Sequence, residues 1–158
     1  QVAEQQTRAI REMQFEPDSE EEAALLKRAH GLVQVFDFGG PLSFGAAADL
    51  GHHVRERTRK GRGAAALVLD FSSVPFMDVS AARAVETIAT DATEAGKHVY
   101  VTGLREEVAA VLAGLDADHH LPTDPRFTRR IDAVRQAVED LERGRIDAAP
   151  HGATPAPA

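Results

Sequence analysis

The 158-residue sequence carries 25 acidic and 18 basic side chains, and its formal charge of −7 opposes general attraction to nucleic acid or anionic lipid. It has no cysteine, so thiolate catalysis, cysteine-held zinc and disulfides are excluded. Its longest aliphatic run, AAALVL at residues 64–69, is far shorter than the roughly 20 residues that span a bilayer as a helix. The length predicts one domain with tails.

The N-terminal segment predicts a linker followed by one helix. Residues 1–15 are polar and have too few large apolar side chains to bury a helix face, so we interpret them as linker. Ser19 and Glu22 have the spacing of a capping box, and Gly31 ends the helix that they begin. We therefore assign residues 1–30 to a linker and N-terminal helix. Because the sequence begins with Gln1 and has no signal-like pattern, we expect it to be a piece of a longer polypeptide.

The next segment predicts a strand, a helix and a second strand. LVQVFDF at residues 32–38 alternates like a strand with one strongly buried face, and Gly-Gly-Pro at 39–41 predicts a turn. A helix capped by Ser43 should follow, because apolar residues recur at helical spacing. Those residues are Phe44, Ala47, Gly51 and Val54. The run ALVL, which ends in Asp70, is typical of a central strand covered on both faces of a parallel sheet.

The remaining elements continue the alternation of helices and strands. A helix follows Pro75, a strand covers residues 97–101, and a further helix precedes a short strand near residues 119–121. Asp124 as N-cap and Pro125 at the first helical position predict the start of the last helix. The predicted helix stripes are Val85, Ile88, Ala89 and Ala92; Val108, Val111, Leu112 and Leu115; and Phe127, Ile131, Val134, Val138 and Leu141. This order predicts an α/β fold with a mainly parallel sheet.

The C-terminal segment, residues 145–158, has little bulky apolar surface, so we expect a disordered tail.

The stretch SVPFMDVSAARAVE, residues 73–86, places a carboxylate and a hydroxyl at a strand-to-helix junction. A nucleophile-and-base pair of Asp78 with Ser80 lacks an obvious third partner, so the sequence does not favour catalysis. The alternative is that either Asp78 or Ser80 accepts a backbone N–H at the helix start. The sequence leaves open which of the two is the cap.

Other candidate sites carry less support. The histidine pairs at residues 52–53 and 119–120 lack helical H-x-x-x-H spacing, even with Asp116 and Asp118 beside the second pair, so solvated positions are favoured over metal ligands. Basic residues at 55–62 are expected at a helix C-terminus because of the helix dipole. GKHV lacks the glycine and hydroxyl residues of a P-loop. We expect no cofactor and no metal.

The segment LVLDFSSVPFMDVSAARAVETI, residues 67–88, resembles the strand, loop and helix at the centre of a STAS domain. The flanking segments GLVQVFDFGGPLSFGAAADL and AGKHVYVTGLREEVAAVLAGL are similar to neighbouring parts of the same family. The resemblance covers residues 31–141, and we assign residues 31–144 to a STAS domain. It implies the STAS fold, which is that of anti-sigma-factor antagonists.

The resemblance implies a non-catalytic role and two possible settings. In the antagonists the loop reads Asp-Ser-Ser-Gly and its first serine is phosphorylated; here Asp78 is retained, Val79 takes that serine position and Ser80 the next. GGPLSFGAA at residues 39–47 looks like the SulP anion permease branch, which includes bicarbonate and sulfate transporters. The alternative is a freestanding antagonist that acts by partner switching.

The permease reading places the domain on the cytoplasmic face of the membrane. It implies contact with the transmembrane domain of the parent permease, a homodimer in the full-length protein, and a role in assembly, trafficking or regulation of transport. A regulatory protein or a nucleotide could meet the loop formed by Asp78, Val79 and Ser80. No nucleic-acid partner is expected.

Overall fold

The computed structural model describes residues 17–38, 44–59, 63–114 and 126–146. The helices in these ranges are α1 (Glu20–Arg28), α2 (Phe44–Arg59), α3 (Val79–Glu94), α4 (Glu106–Gly114) and α5 (Arg130–Glu142). The strands are β1 (Val33–Asp37), β2 (Ala66–Asp70), β3 (His98–Thr102) and the two-residue β4 (Arg126–Phe127). Across the described ranges, none of the helices combines the length and the apolar character needed to cross a membrane.

The four strands form one parallel sheet in the order β1-β2-β3-β4. This confirms the predicted α/β class and the central position of β2. Pairing places Asp37 level with Asp70, and Asp70 level with Thr102. Because parallel strands end at the same edge, the last residues of three strands lie side by side there. That edge carries the polar groups discussed below.

Helices α2, α3 and α4 contribute to the larger apolar core, which lies on one face of the sheet. Leu67 and Leu69 of β2 project into it with Phe71, and Ile88 of α3 meets them there. The central strand and the stripe of α3 therefore share one core. Phe38 and Phe71 stack with ring centroids 5.0 Å apart. Alternation along β2 therefore sends its leucines to this face.

Helices α1 and α5 cover the opposite face. Val68 of β2 and Val134 of α5 belong to this second core, together with Leu25 of α1. Tyr100 also lies there, and its hydroxyl donates a 2.7 Å hydrogen bond to Asp140. Helix α1, which the sequence analysis assigns to the segment before the domain, is thus packed on the sheet.

Several local predictions are confirmed. The Ser19 side chain accepts a 3.1 Å hydrogen bond from the Glu22 backbone N–H and caps α1. The predicted stripe of α3 is buried throughout. The basic end of α2 includes ion pairs of Arg55 with Asp91 and of Arg59 with Glu56, as expected for a charged helix terminus.

Three local predictions are wrong. The last helix begins at Arg130, and Phe127 lies in β4, where its backbone pairs with β3. Phe44 is 56% exposed, whereas Ala47, Leu50 and Val54 further along α2 are buried. Strand β1 is apolar on both faces: Val33 and Val35 face α1 and α5, while Phe36 faces the larger core.

Other predictions fall on residues outside the described ranges. These are the linker at 1–15, the turn at 39–41, the Ser43 cap, Leu115 of the predicted helix stripe, the strand near 119–121, the side chains of Asp124 and Pro125, and most of the tail. At the start of the predicted tail, Ile146 is buried in the core beneath α1 and α5.

Candidate functional site

The segment from the end of β2 into the first turn of α3, residues 71–80, forms the candidate interaction surface and is here called the Asp78 loop. It leaves the sheet at the carboxyl end of β2. Val74 and Met77 are buried and hold the loop on the core. Between and beyond them, Phe76 is 60% exposed and Val79 is 52% exposed. The loop therefore presents apolar surface to solvent from a fixed base.

Asp78 is the N-cap of α3. Its backbone is extended, and its carboxylate accepts a 2.7 Å hydrogen bond from the Ala81 backbone N–H. Ser80 lies inside the first turn and is exposed. The structure thus decides between the two caps that the sequence left open. The Asp78 carboxylate already serves a structural purpose, since it satisfies a helix-terminal donor.

Asp70 ties the start of the loop to the sheet. Its Oδ1 accepts hydrogen bonds from the Ser72 backbone N–H at 2.9 Å, from Ser72 Oγ at 2.6 Å and from Thr102 Oγ1 at 3.0 Å. The Arg105 guanidinium donates a 3.3 Å hydrogen bond to the Ser72 carbonyl. Gly103 approaches so closely that an added Cβ would lie 2.1 Å from Ser72 Oγ. Two loops are therefore fitted together at this edge.

The second oxygen of Asp70 belongs to a buried charge cluster whose members come from distant parts of the sequence, and no sequence prediction included it. We call it the Arg130 cluster: Arg130 with Asp18, Glu22, Asp37 and Asp70. The guanidinium lies 3.2 Å from Glu22 Oε2, 3.5 Å from Asp37 Oδ2, 3.3 Å from Asp70 Oδ2 and 2.7 Å from Asp18 Oδ1. One cation of α5 thus joins α1 to the ends of β1 and β2.

The environment of the cluster raises the pKa of two of its carboxyl groups, those of Glu22 and Asp37. Burial raises the pKa of Glu22, and the hydrogen bond and charge of Arg130 only partly oppose it. Burial also raises the pKa of Asp37, and the neighbouring charge of Asp70 adds to this effect while Arg130 opposes it. Both shifts disfavour the ionised form.

Two sequence signals could have indicated the cluster. Asp37 lies at the last but one position of the predicted strand 32–38, and Asp70 ends the next predicted parallel strand, so they must lie near the same edge. Glu22 lies one turn before Leu25, on the face of α1 that is buried. Arg130 lies one turn before Val134, so the same helical spacing places it on the buried face of α5. Its neighbour Arg129 is exposed and paired with Asp132.

Among the described residues, no group of three or more histidine, cysteine, aspartate or glutamate side chains is arranged to hold a metal ion. His52 is exposed on α2, as expected for a solvated position. The pair at residues 119–120 lies outside the described ranges. The three loop residues singled out from the sequence, Asp78, Val79 and Ser80, are adjacent at the start of α3.

Comparison with known proteins agrees with this architecture. The family model described as STAS domain matches residues 24–133. The bicarbonate transporter BicA of Synechocystis sp. is 31% identical over 120 residues, which cover 76% of this chain and 21% of that protein. The chain thus spans about a fifth of the length of this curated relative.

Solved structures share the fold at low identity. The SulP transporter STAS domain from Vibrio cholerae gives a TM-score of 0.66 at 20% identity and covers 79% of this chain and 99% of that one. RsbS of Moorella thermoacetica gives a TM-score of 0.56 at 18% identity, covering 71% of this chain and 92% of that one. Both likenesses concern the fold.

Proposed function

This chain belongs to the STAS domain family, and from that premise we propose that it is the non-catalytic STAS domain of a SulP-type anion transporter. The observation that carries the proposal is the 31% identity to a bicarbonate transporter over three quarters of the chain. In this proposal the domain lies on the cytoplasmic face of the membrane and serves assembly, trafficking or regulation of transport. The transported anion is bicarbonate or sulfate.

We place the contact with partners at the Asp78 loop. Phe76 and Val79 keep more than half of their surface exposed, and covering apolar surface of this kind is favourable by about 25 cal/mol per Å². The neighbouring side chains of Val74 and Met77 are buried and hold the loop backbone in place. Binding of a partner would therefore cost little conformational entropy of the loop. The proposed partners are the transmembrane domain, a second copy of the chain, or a regulatory protein or nucleotide.

The carboxylates near the loop support a binding role over catalysis. Asp78 accepts a helix-terminal N–H, and Asp70 accepts hydrogen bonds from Ser72 and Thr102 while its other oxygen meets Arg130. A general base needs a lone pair directed at a substrate proton. These carboxylates are already engaged within the fold.

The proposal is tested first by the size and location of the natural polypeptide. An antibody against this domain should detect a large protein in the membrane fraction that resists alkaline carbonate washing. Cells that lack it should lose uptake of labelled bicarbonate or labelled sulfate. A small polypeptide in the washed-off fraction, with normal uptake of both anions, would contradict the proposal.

The interaction surface is tested by adding one charge to the loop. Val79→Asp in the full-length protein should reduce uptake or complex formation while leaving domain stability nearly unchanged, because Val79 is exposed. Thr87→Asp is the matched control, since Thr87 is also exposed on α3 but lies two turns further along. Equal losses of uptake or complex formation in the two variants would show that the Asp78 loop is not the partner contact.

A second candidate function is a freestanding anti-sigma-factor antagonist. The fold shared with RsbS favours it, and Ser80 offers an exposed hydroxyl in the first turn of α3. Against it, Val79 has no hydroxyl to take phosphate. Phosphorylated Ser80 in native cells, with partner binding abolished by Ser80→Asp but kept by Ser80→Ala, would favour the antagonist.

A further inference from the structure

The Arg130 cluster holds more negative than positive charge. Its single guanidinium lies within 3.5 Å of four carboxylates. Two other ion pairs join α1 to α5 among the described residues, Arg135 with Glu21 and Arg28 with Glu142, and their side chains are largely exposed to solvent. The Arg130 cluster differs because Arg130, Glu22 and Asp70 are buried, and low polarizability there makes like charges costly.

Glu22 supplies an independent sign that, among the described residues, the cluster has too few positive groups and donors for its carboxylates. Its side chain is 1% exposed, and Oε2 meets Arg130. Its other oxygen, Oε1, is buried and receives no hydrogen bond of ordinary geometry within the part of the chain that the structure describes. The same holds for Oδ1 of Asp37. A buried carboxylate oxygen without a donor is expensive when ionised, and the cost falls when it carries a proton.

We propose that the Arg130 cluster binds a proton in mildly acidic solution, and that this proton strengthens the attachment of helix α1 to α5 and the sheet. The proton is taken by the Glu22 carboxyl, which is the most buried acid of the set. Helix α1 responds because Glu22 belongs to it, whereas the other members lie on β1, β2, α5 and the residue before the α1 cap. This inference concerns a second place in the domain and stands apart from the proposed transport role.

The direction of the effect follows from linkage. Burial raises the pKa of Glu22, so the folded state binds its proton more tightly than the unfolded state does. The stability gained from this proton is full below the ordinary glutamate pKa of about 4.3 and is lost as the pH rises through the folded-state value. Asp37 acts in the same sense. The attachment of α1 should therefore weaken from mildly acidic to alkaline pH.

Other carboxyl groups of α5 oppose the gain in stability from the Glu22 proton when the pH becomes low. Hydrogen bonds from Arg129 lower the pKa of Asp132. The pKa of Asp140 is also lowered, because hydrogen bonds from Tyr100, Gln136 and Arg145 outweigh its burial. Protonating these carboxylates costs stability as the pH falls through their folded-state values. The attachment of α1 should thus be strongest in mildly acidic solution.

The test uses hydrogen exchange of the α1 amides in the 158-residue chain, corrected for the intrinsic exchange rate, at about pH 5.5 and about pH 8. Opening should increase on going to the higher pH, by up to tenfold for each unit by which the folded-state pKa exceeds the unfolded one. Glu22→Gln keeps the shape of the side chain without the charge, and should remove most of this pH dependence. Glu21→Gln, one residue away on the exposed side of α1, should retain it.

A direct readout keeps the proposal falsifiable if Glu22→Gln folds poorly. The carboxyl carbon resonance of Glu22, observed by NMR in the labelled chain, should titrate with a midpoint above the ordinary value of about 4.3. Asp37→Asn provides a second variant and should also reduce the pH dependence of α1 opening. A Glu22 midpoint at or below the ordinary value, or equal pH dependence in wild type and Glu22→Gln, would overturn the proposal.

Discussion

The two faces of the sheet are stabilised by different kinds of contact. On the face of α2, α3 and α4, leucine, valine and aromatic side chains from both layers interlock, as Leu69 and Phe71 show. On the face of α1 and α5, a smaller apolar core is followed near the carboxyl edge of the sheet by Arg130, Glu22 and Asp70, all of which are buried. The face of α2, α3 and α4 is stabilised by the burial of regularly spaced apolar side chains. The face of α1 and α5 also depends on ion pairs between particular charged residues.

The difference matters because the two kinds of contact fail differently. Dispersion and hydrophobic burial are non-directional, so a shortened side chain loses its own contribution and leaves a cavity. A buried ion cluster depends on its shared cation, since removal of Arg130 would leave several carboxylates without a compensating charge. Mutations that compare the faces should therefore show the largest single effect at the cluster.

Arg130→Met should destabilise the domain most, by about 3–5 kcal/mol, because it leaves buried Glu22 and Asp70 without their cation. Methionine keeps much of the aliphatic stem, so the loss reports charge more than volume. The measurement is urea unfolding of the 158-residue chain. Arg129→Met, at the neighbouring exposed position, serves as the control and should change the midpoint little. A cost below about 1 kcal/mol at Arg130 would mean that the cluster does not support the fold.

Leu69→Ala should cost about 2–5 kcal/mol, because Leu69 is fully buried in the larger core. Val68→Ala, at the next position of β2, reports the opposite face and should cost less, since valine loses fewer atoms. Both are read from the unfolding midpoint. A silent Val68→Ala beside a costly Leu69→Ala would show that α1 and α5 contribute no packed layer, and would break the comparison of the faces.

The apolar architecture was predictable from the sequence because periodicity encodes it locally. The run ending in Asp70 indicated a strand covered on both sides, and the stripe containing Ile88 indicated the helix above it; both predictions are confirmed. STAS-family membership was likewise indicated by residues 67–88 and is shown by the family match. These signals need only neighbours in the chain.

The charged face was not predictable because its partners are distant in sequence. Glu22 and Arg130 are separated by 108 positions, and no spacing rule connects them. The helical spacing of Phe127 gave a wrong prediction. Its backbone pairs with β3 as part of a strand, although its position fits the helix periodicity. At the Asp78 loop the sequence named the two possible caps, but the choice depended on which backbone N–H each side chain could reach.

Gly103→Ala tests the edge where the two faces meet, and should cost about 1–3 kcal/mol from backbone strain alone. Gly103 has φ +67°, and an added Cβ would also lie 2.8 Å from Ser72 Cα, so the Asp78 loop must shift. Gly144→Ala is the matched control: its φ is +71° but nothing lies within 4 Å of the added Cβ. The difference between the variants in urea unfolding isolates the close approach. Equal costs would mean that Ser72 and Gly103 are not tightly fitted.

Asp78→Ala and Ser80→Ala, measured side by side, test which side chain caps α3. They should have the smallest effects on stability, and both lie in the loop proposed to bind partners. Asp78→Ala should cost about 0.5–2 kcal/mol, because it removes the acceptor for the Ala81 N–H at the start of α3. Ser80→Ala should cost less, since Ser80 is exposed within the first turn. Urea midpoints give both values, and hydrogen exchange at Ala81 should rise for Asp78→Ala only. A larger loss for Ser80→Ala would assign the cap to the hydroxyl. If Asp78 is confirmed as the cap, uptake by the full-length Ser80→Ala protein should fall only as far as the amount of folded domain falls. A larger loss of uptake would have to come from a contact that the Ser80 hydroxyl makes with a partner.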